Sequence, residues 1–305
     1  MFGLKRYNYE TFTKDLLGKD ILKSKFTGGP GPGERAPGFA ARTLRGDEVR
    51  LEESAGARNV VLTFGSATCP FTASSIRGLN DLYDEFRDQG VQFLFVYVRE
   101  AHPGERLPAH ASLAEKVRAA ELFRDQEKVD IPIVVDDLRG GIHRKYGTLP
   151  NPTFLIDKSG RVAFRTLWTR PRMVRQALQE LLERQEERHT EHAVVHGGED
   201  TTMPMSYAVL HTHRALERGG RQAVEDFHRE LGIAGRLSTA TSRVIEPVTM
   251  HPGRALAGAA AAGGVIVGGL ILGRYLRNRR FAYRGPYRMP APPKATGNDY
   301  EAVGI

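Results

Sequence analysis

The stretch Asn59-Val-Val-Leu-Thr-Phe-Gly-Ser-Ala-Thr-Cys-Pro-Phe-Thr72 joins a strand pattern directly to a helix pattern. Its first six residues are mostly apolar, which predicts a buried strand that ends at Gly65. The next residues, about 71–88, place apolar side chains three and four positions apart and predict an amphipathic helix. Cys69, the single cysteine of the 305 residues, is therefore expected at the turn between a core strand and a helix.

Strand and helix patterns alternate on the C-terminal side of this unit. They predict a strand buried on both faces at 91–98, a helix at 112–125, a strand at 131–135, a short helix at 142–146, a hairpin of 153–156 with 161–165, and a helix at 171–188. This order, within about 150 residues, predicts an α/β fold of the thioredoxin-like type. A doubly wound sheet fits the first half equally well, but it does not predict the hairpin before the last helix.

Changes in composition divide the chain into five predicted segments. Residues 1–33 form a polar extension that ends in a Gly/Pro linker, and residues 34–188 form the α/β domain. Residues 189–253 form a C-terminal helical extension that is too small for a second enzyme core. Residues 254–274 are predicted to be a single transmembrane helix, and residues 275–305 a basic, Pro-rich tail.

The membrane prediction rests on Ala255–Gly273, nineteen residues without a charge, which is just long enough to cross a bilayer. The alternative is a buried Ala/Gly-rich helix in a soluble domain. Gly264 with Gly268, and Gly269 with Gly273, have the spacing of closely packed membrane helices and favour a homodimer.

The net charge of +8 is concentrated at the C-terminus. From Arg274 onward there are seven basic and two acidic residues, so the rest of the chain carries only +3. That distribution argues against nucleic-acid binding and favours contact with membrane lipid. Residues 1–26 lack the apolar core of a signal peptide. We therefore expect a single-pass membrane protein whose α/β domain faces the cytoplasm, although the basic tail by itself favours the opposite orientation.

Cys69 is the first candidate for chemistry. Unpaired N–H groups at the start of a helix stabilise a thiolate, so we expect a lowered pKa and a reactive thiol; the alternative is a buried small hydrophobe. Thr72 stands where a dithiol site has its second cysteine, so another molecule must resolve a disulfide formed at Cys69. Ser66 fits the hydroxyl residue that peroxiredoxins place three residues before their cysteine, whereas Leu62 replaces their proline.

Glu100 and His102 follow the second predicted strand. Because parallel strands bring their carboxyl ends to one edge, we expect both side chains near Cys69. A carboxylate and an imidazole beside a thiolate can deliver a proton to a leaving group; the alternatives are a loop-capping Glu100 and a surface His102. Pro152 is a candidate for the cis-proline opposite the thiol, with Pro150 as a rival and a trans proline starting an edge strand as the alternative.

Further blocks fall in a recognisable order: Phe64-Gly-Ser-Ala-Thr-Cys-Pro70, Glu100-Ala-His-Pro103, residues 109–122, Ile133-Val-Val-Asp136, Leu149-Pro150, Phe154-Leu-Ile-Asp157 and Gly160-Arg-Val162. Together, over roughly residues 34–187, they resemble the iodothyronine deiodinase family, in a bacterial-type form with cysteine. The resemblance implies a thioredoxin-like fold and reductive chemistry at one chalcogen, with Cys69 in place of selenocysteine. It also implies acid–base or substrate-polarising roles for Glu100 and His102, and maps a second family histidine to His110.

Departures from that family define the expected chemistry. Sulfur in place of selenium implies slower halogen removal, and Ala67 replaces an auxiliary cysteine, so the resemblance implies an external glutathione- or thioredoxin-like thiol and no bound cofactor. We interpret the protein as a membrane-tethered, thiol-dependent oxidoreductase whose Cys69 thiolate reduces a halogenated aromatic or a similar soft electrophile. The alternatives are a peroxiredoxin-like thiol peroxidase and a non-catalytic membrane scaffold. The expected supporting residues are Ser66, Thr68, Pro70, Thr72 and Pro152.

Histidines are concentrated after the predicted domain. His189, His192 and His196 are spaced i, i+3 and i+7, which would place them on one face of a helix that could bind a metal. Gly197-Gly198 argues against a helix there, and no cysteine or carboxylate completes a ligand pattern. We expect no metal site at these positions.

Overall fold

The computed structural model describes residues 7–250, with the exception of residues 27 and 55. The predicted membrane span, 254–274, and the tail, 275–305, lie outside these residues. Within the described part of the chain, no helix is both long and apolar enough to cross a membrane.

Strands and helices follow one another in the predicted order. The strands are β1 (Ala40–Arg42), β2 (Glu48–Arg50), β3 (Asn59–Gly65), β4 (Val91–Tyr97), β5 (Ile133–Val135), β6 (Thr153–Ile156), β7 (Val162–Thr166) and β8 (Glu199–Asp200). The helices are α1 (Lys14–Phe26), α2 (Pro70–Phe86), α3 (Leu113–Glu127), α4 (Pro171–Arg188), α5 (Tyr207–Leu210), α6 (Thr212–Gly219) and α7 (Arg221–Met250). Short 3-10 helices cover Leu51–Ser54 and His143–Tyr146.

The main sheet has the order β5-β4-β3-β6-β7-β8. β3, β4 and β5 are parallel, whereas β6 and β7 form the antiparallel hairpin that precedes α4. This topology confirms the thioredoxin-like prediction and excludes the doubly wound alternative, because a doubly wound sheet has no hairpin at this point. α2 and α4 match their predicted ranges within two residues.

The neighbouring strands β3 and β4 separate two apolar layers because successive side chains point to opposite faces of a sheet. On one face, Val61 and Phe95 pack with the apolar sides of α2, α3 and α4. On the other face, Leu62 and Val96 pack against Phe39 and the 3-10 helix that ends at Tyr146. This burial on both sides holds the carboxyl ends of β3 and β4 rigidly at one edge of the sheet.

Three differences from the predicted elements have local causes. β5 starts at Ile133 rather than at residue 131 because Pro132 has no N–H to donate to the ladder, although its carbonyl still accepts from Phe95. The hairpin of β1 with β2 was missed because its strands have three residues each and carry exposed charged side chains. β8, with two residues, was also too short for a pattern.

The N- and C-terminal extensions pack against the α/β domain, and the described residues all belong to one compact unit. Leu17 and Ile21 of α1 pack against a cluster that contains Trp168. Within the predicted helical extension, residues 189–253, the chain forms α5, α6 and α7. α5 and α6 contact α2, whose first turn follows Cys69.

We expect Leu62→Ala to lower the free energy of unfolding by about 2–5 kcal/mol, because Leu62 is fully buried at the centre of β3. Leu122→Ala is the matched control: this leucine on α3 is 40% exposed, and its loss should change stability by only about 0.5 kcal/mol. Urea denaturation of both variants tests this, and equal losses would show that the central strand is not the core described above.

Candidate active site

Cys69 lies between β3 and α2 and is the residue that caps the start of α2. Its backbone is extended, with φ −88° and ψ 118°, and Pro70 occupies the first turn, where its missing N–H costs no hydrogen bond. The Cys69 side chain makes no capping hydrogen bond, but the nearby Phe71 and Thr72 N–H groups and the Thr72 side chain favour the charged form and lower its pKa. The strand-to-helix turn predicted from the sequence is therefore present.

The predicted low pKa of Cys69 is wrong for this closed structure. Cys69 is 1% exposed, and burial raises its pKa above the ordinary thiol value. The donors from Phe71 and Thr72 lower the pKa, as expected at a helix start, but removing the charged form from water outweighs them. Cys69 is therefore a neutral thiol at neutral pH.

Glu100 forms the polar centre of the site. Its carboxylate accepts hydrogen bonds from the Thr68 N–H at 3.0 Å, from the Thr68 hydroxyl at 2.7 Å and from the Tyr97 hydroxyl. His110 Nε2 lies 3.4 Å from Glu100 Oε1, an ion-pair distance with poor hydrogen-bond alignment. Burial favours the neutral acid, but His110, Tyr97 and Thr68 outweigh it and hold the pKa of Glu100 below its usual value. Glu100 is thus a buried carboxylate.

His102 is buried, so the surface alternative is wrong. Its backbone N–H donates to Thr68 Oγ1 at 3.0 Å, and its ring lies between Phe12 and Phe227, with centroids 4.2 Å and 5.4 Å away. Burial lowers the pKa of His102 to about 3, and Glu100 opposes this shift only in part. Nδ1 has no hydrogen-bond partner. His102 is therefore a neutral imidazole with one unsatisfied ring nitrogen.

The expected supporting residues surround the same loop. Ser66 Oγ accepts the Ala101 N–H at 3.2 Å, and Thr72 Oγ1 accepts the Asn151 amide at 3.3 Å. The Pro152 carbonyl accepts the Phe64 N–H at 3.0 Å. No peptide bond is cis within residues 7–250 as described, so the cis interpretation of Pro152 and of Pro150 is wrong. The bonds keep the trans form that most X–Pro bonds adopt.

Several residues of the site were not predicted. Tyr97 ends an almost wholly apolar strand, and only its position at the carboxyl edge could have identified it. Tyr9 donates to the Ala101 carbonyl at 2.9 Å and lies close enough to Cys69 for the two groups to interact electrostatically. Phe12 comes from the N-terminal extension. Arg218 comes from α6, and its side chain donates a hydrogen bond to the Ala67 carbonyl at 3.0 Å. No local pattern connects these residues to Cys69.

Two segments from outside the α/β domain cover the site, and we name residues 7–12 together with 212–227 the cover. Phe12 of the first segment packs with Leu216 and Phe227 of the second in one apolar cluster. Beneath it, Cys69, Glu100, His102 and His110 are all buried. Because Cys69 is 1% exposed, a substrate can reach the thiol only after part of the surrounding structure moves.

His189, His192 and His196 do not lie on one face of a helix, and their side chains have different surroundings. α4 ends at Arg188, and His189 takes the left-handed conformation with φ 49°, so the helix does not continue. His192 Nδ1 lies 2.6 Å from Asp157 Oδ2, and His196 Nδ1 lies 3.9 Å from a Glu180 oxygen. No group of three or more potential metal ligands occurs in the part of the chain that the structure describes.

This combination of fold and thiol site agrees with the sequence comparisons. Residues 32–165 match the AhpC/TSA family. A thyroxine 5-deiodinase of Gallus gallus is 30% identical over 149 residues, 46% of this chain and 55% of the relative. The thiol-disulfide oxidoreductase ResA of Bacillus thuringiensis subsp. konkukian is 29% identical over 132 residues, 43% of this chain and 66% of the relative.

A solved structure, a secreted disulfide oxidoreductase of Mycobacterium tuberculosis, aligns over 47% of this chain and 96% of its own length, with 18% identity and a TM-score of 0.37. This chain spans about half the length of the deiodinases it matches. The AhpC/TSA match ends before α4, so it does not include α6, α7 or the N-terminal part of the cover. The domain thus has a thioredoxin-like fold, is similar over residues 32–165 to the AhpC/TSA family, and has distant similarity to deiodinases and to ResA.

The buried neutral state of His102 should make the protein sensitive to acid. Because the folded pKa of about 3 lies below the unfolded value of 6.5, His102 stabilises the fold above about pH 6.5, and this contribution is lost as the pH falls towards 3. The slope from one such group reaches about 1.4 kcal/mol per pH unit. His102→Phe should reduce the slope by that amount in urea titrations between about pH 6 and pH 4. An unchanged slope would mean that His102 is not buried neutral.

The thiol should be unreactive while the cover is closed. We expect iodoacetamide to alkylate Cys69 in the native protein at least about tenfold more slowly at neutral pH than in the guanidinium-unfolded chain, because the thiol is buried and its pKa is raised. The alkylation rate of the native protein should increase only at pH values above the ordinary thiol pKa. Mass spectrometry of the single cysteine measures both rates, and fast native alkylation at neutral pH would contradict the closed site.

Proposed function

We propose that this protein is a one-cysteine, thiol-dependent reductase in which Cys69 attacks a soft electrophile, with a halogenated aromatic as the leading substrate class. The observation that carries the proposal is the placement of Cys69 beside a buried ionised Glu100, which is itself bonded to Thr68 and Tyr97 and close to His110. The similarity to thyroxine 5-deiodinase supports the halogenated substrate class. The substrate remains part of the proposal.

Opening of the cover activates the thiol in this mechanism. Burial is what raises the pKa of Cys69, so contact with water or with a polar substrate group removes that penalty. The donors from Phe71 and Thr72 remain on the rigid start of α2 and then favour the thiolate. Cys69 is thus a neutral thiol in the closed protein and a thiolate nucleophile in the open protein.

The first half-reaction reduces the substrate by two electrons. The Cys69 thiolate attacks the halogen of an aryl iodide, forms an S–I bond and breaks the C–I bond, while the ring carbon takes up one proton. The products are the dehalogenated arene and a Cys69 sulfenyl iodide. The network of Glu100, Tyr97 and His110 can supply that proton, because it joins acidic and basic groups behind the Cys69 loop. Neutral His102 orients the substrate through its unpaired Nδ1.

The second half-reaction requires thiols from outside the chain, because the sequence has one cysteine. A first external thiol displaces iodide from the sulfenyl iodide and forms a mixed disulfide with Cys69. A second thiol attacks that disulfide, which restores the Cys69 thiol and releases the oxidised external disulfide. A glutathione-like or thioredoxin-like reductant fits this scheme, and no bound cofactor takes part in it.

A thiol peroxidase is the second candidate, and the AhpC/TSA match of residues 32–165 favours it. In that reaction the thiolate attacks a hydroperoxide, breaks the O–O bond and becomes a sulfenic acid, and a proton converts the leaving oxygen into an alcohol. External thiols then reduce the sulfenic acid to the thiol and release water. The same Glu100 network would supply the proton.

We also propose that residues 254–274 tether the protein to a membrane as a single span, with the redox domain facing the cytoplasm. The uncharged run and the basic residues after it support a span in contact with lipid, although the basic tail by itself favours the opposite orientation. The two Gly-xxx-Gly pairs support a homodimer within the lipid. Resistance to carbonate extraction, and cross-linking that Gly268→Leu weakens, are the expected results. A non-catalytic membrane scaffold is the remaining alternative.

Turnover by the purified full chain separates the candidates. With dithiothreitol as reductant, we expect release of iodide from an iodinated phenol, and Cys69→Ser should abolish it because oxygen cannot replace the thiolate. Glu100→Gln keeps the shape of the side chain but removes its charge, and it should lower kcat by about 10²-fold or more if proton delivery is its role.

Turnover of hydroperoxides alone would replace the dehalogenase by the peroxidase. Turnover of neither substrate would leave the scaffold interpretation, and activity that persists in Cys69→Ser would exclude Cys69 as the nucleophile of either reaction. Leu122→Ala, at a distant half-exposed position, serves as the control for handling of the variants.

A further inference from the structure

The loop that carries Cys69 is held from outside the α/β domain. Nη1 of Arg218, at the end of α6, donates to the Ala67 carbonyl at 3.0 Å. The N–H of Ala67 donates to the Tyr97 hydroxyl at 3.3 Å. Ala67 is therefore fixed at both its N–H and its C=O, and the next N–H, that of Thr68, is fixed by Glu100.

Arg218 is itself rigidly anchored. Its Nε donates to Gln126 Oε1 at 2.9 Å, its Nη2 pairs with Glu127, and its side chain is only 6% exposed. Both anchors lie at the C-terminal end of α3. The planar guanidinium has five donors in a fixed arrangement, so one side chain can bind α3 and the Cys69 loop at the same time. Lysine has the charge but not this geometry.

The backbone beside Arg218 is fitted closely to the site. A Cβ atom on Gly219 would lie 2.6 Å from the His102 carbonyl and 3.5 Å from Thr68 Cγ2. The Gly219 carbonyl accepts the Arg106 N–H at 3.0 Å. The backbone at the end of α6 therefore packs directly on the two loops that carry Cys69 and His102. A glycine is needed at position 219 because a Cβ atom would not fit.

We propose that Arg218 is a positioning residue for Cys69 and that the C-terminal helices complete the active site of the enzyme. The expected effect on kcat rests on the proposed function, whereas the expected effect on the exposure of Cys69 does not. Tyr97 and Glu100 hold the loop from β4 and from the residues after it, whereas Arg218 holds it from α6. Loss of Arg218 would free the Ala67 carbonyl and loosen both the loop and the cover.

Arg214 provides a matched control on the same helix. It pairs with Glu127 at 2.9 Å and with Glu246 at 2.8 Å, so it belongs to the same buried ion-pair group. It has no described contact with the Cys69 loop. Arg214→Gln and Arg218→Gln each remove one cation from Glu127, but only Arg218→Gln removes the bond to Ala67. Thermal unfolding of both full-length variants shows whether their losses of stability are comparable.

The deciding measurement is the native alkylation rate of Cys69 by iodoacetamide as a function of pH. Arg218→Gln should raise this rate about tenfold or more relative to Arg214→Gln, because the loop and cover are no longer joined. In the turnover assay it should lower kcat about tenfold or more with little change in KM, since alignment rather than binding is lost. Arg218→Lys should fall between wild type and Arg218→Gln in both readouts.

Equal alkylation rates in Arg218→Gln and Arg214→Gln would overturn the proposal, because the contact to Ala67 would then have no effect beyond the ion pair. If Arg218→Gln does not fold, Arg218→Lys decides in its place, and a wild-type alkylation rate in that variant would overturn the proposal too. If the wild-type protein turns over neither substrate, the proposed function fails, while the alkylation comparison still tests the role of Arg218.

Discussion

The buried carboxylate of Glu100 is the constraint on which the site depends. A charge removed from water is tolerated only when donors replace its hydration. Here the Thr68 N–H, the Thr68 hydroxyl and the Tyr97 hydroxyl do so, with His110 close by. Because these donors come from the β3–α2 loop, from the end of β4 and from the segment before α3, satisfying one carboxylate fixes three parts of the chain around Cys69. Burial of both faces of β3 and β4 keeps that arrangement rigid.

The thiol shows how two effects at one position compete. The start of α2 supplies groups that favour a thiolate, and burial removes the water that a thiolate needs. Burial wins in the closed structure, so reactivity depends on conformation as well as on sequence. The same cover keeps His102 neutral between Phe12 and Phe227. Burial therefore keeps both the thiol and the imidazole uncharged in this structure.

The local sequence pattern was sufficient to predict the fold and the residues that follow the carboxyl ends of β3 and β4. The apolar runs of β3 and β4, the periodicity of α2 and α4, and the rule that parallel strands share a carboxyl edge together placed Glu100 and His102 near Cys69. The predictions that failed were those of properties that depend on burial in the folded protein. The raised pKa of Cys69 and the neutral state of His102 follow from burial by residues far away in sequence, whereas the bond before Pro152 has the trans form that most X–Pro bonds adopt. Tyr9, Phe12 and Arg218 were unpredictable because no period or motif connects residues so distant along the chain. Arg218 and Ala67, which share a hydrogen bond, are 151 positions apart.

The extent of the functional unit follows from these contacts. The family match covers residues 32–165, and it contains Cys69, Glu100, His102 and His110. Thr68 and Tyr97, which hold Glu100, also lie within the match, whereas further groups that pack on the site lie on either side of it, in residues 7–12 and in α6 and α7. A buried thiol whose loop is fixed by a guanidinium from another segment cannot have the same exposure or mobility once that segment is removed. The candidate site residues therefore lie within the match, whereas groups that pack on them from α6, α7 and residues 7–12 lie outside it.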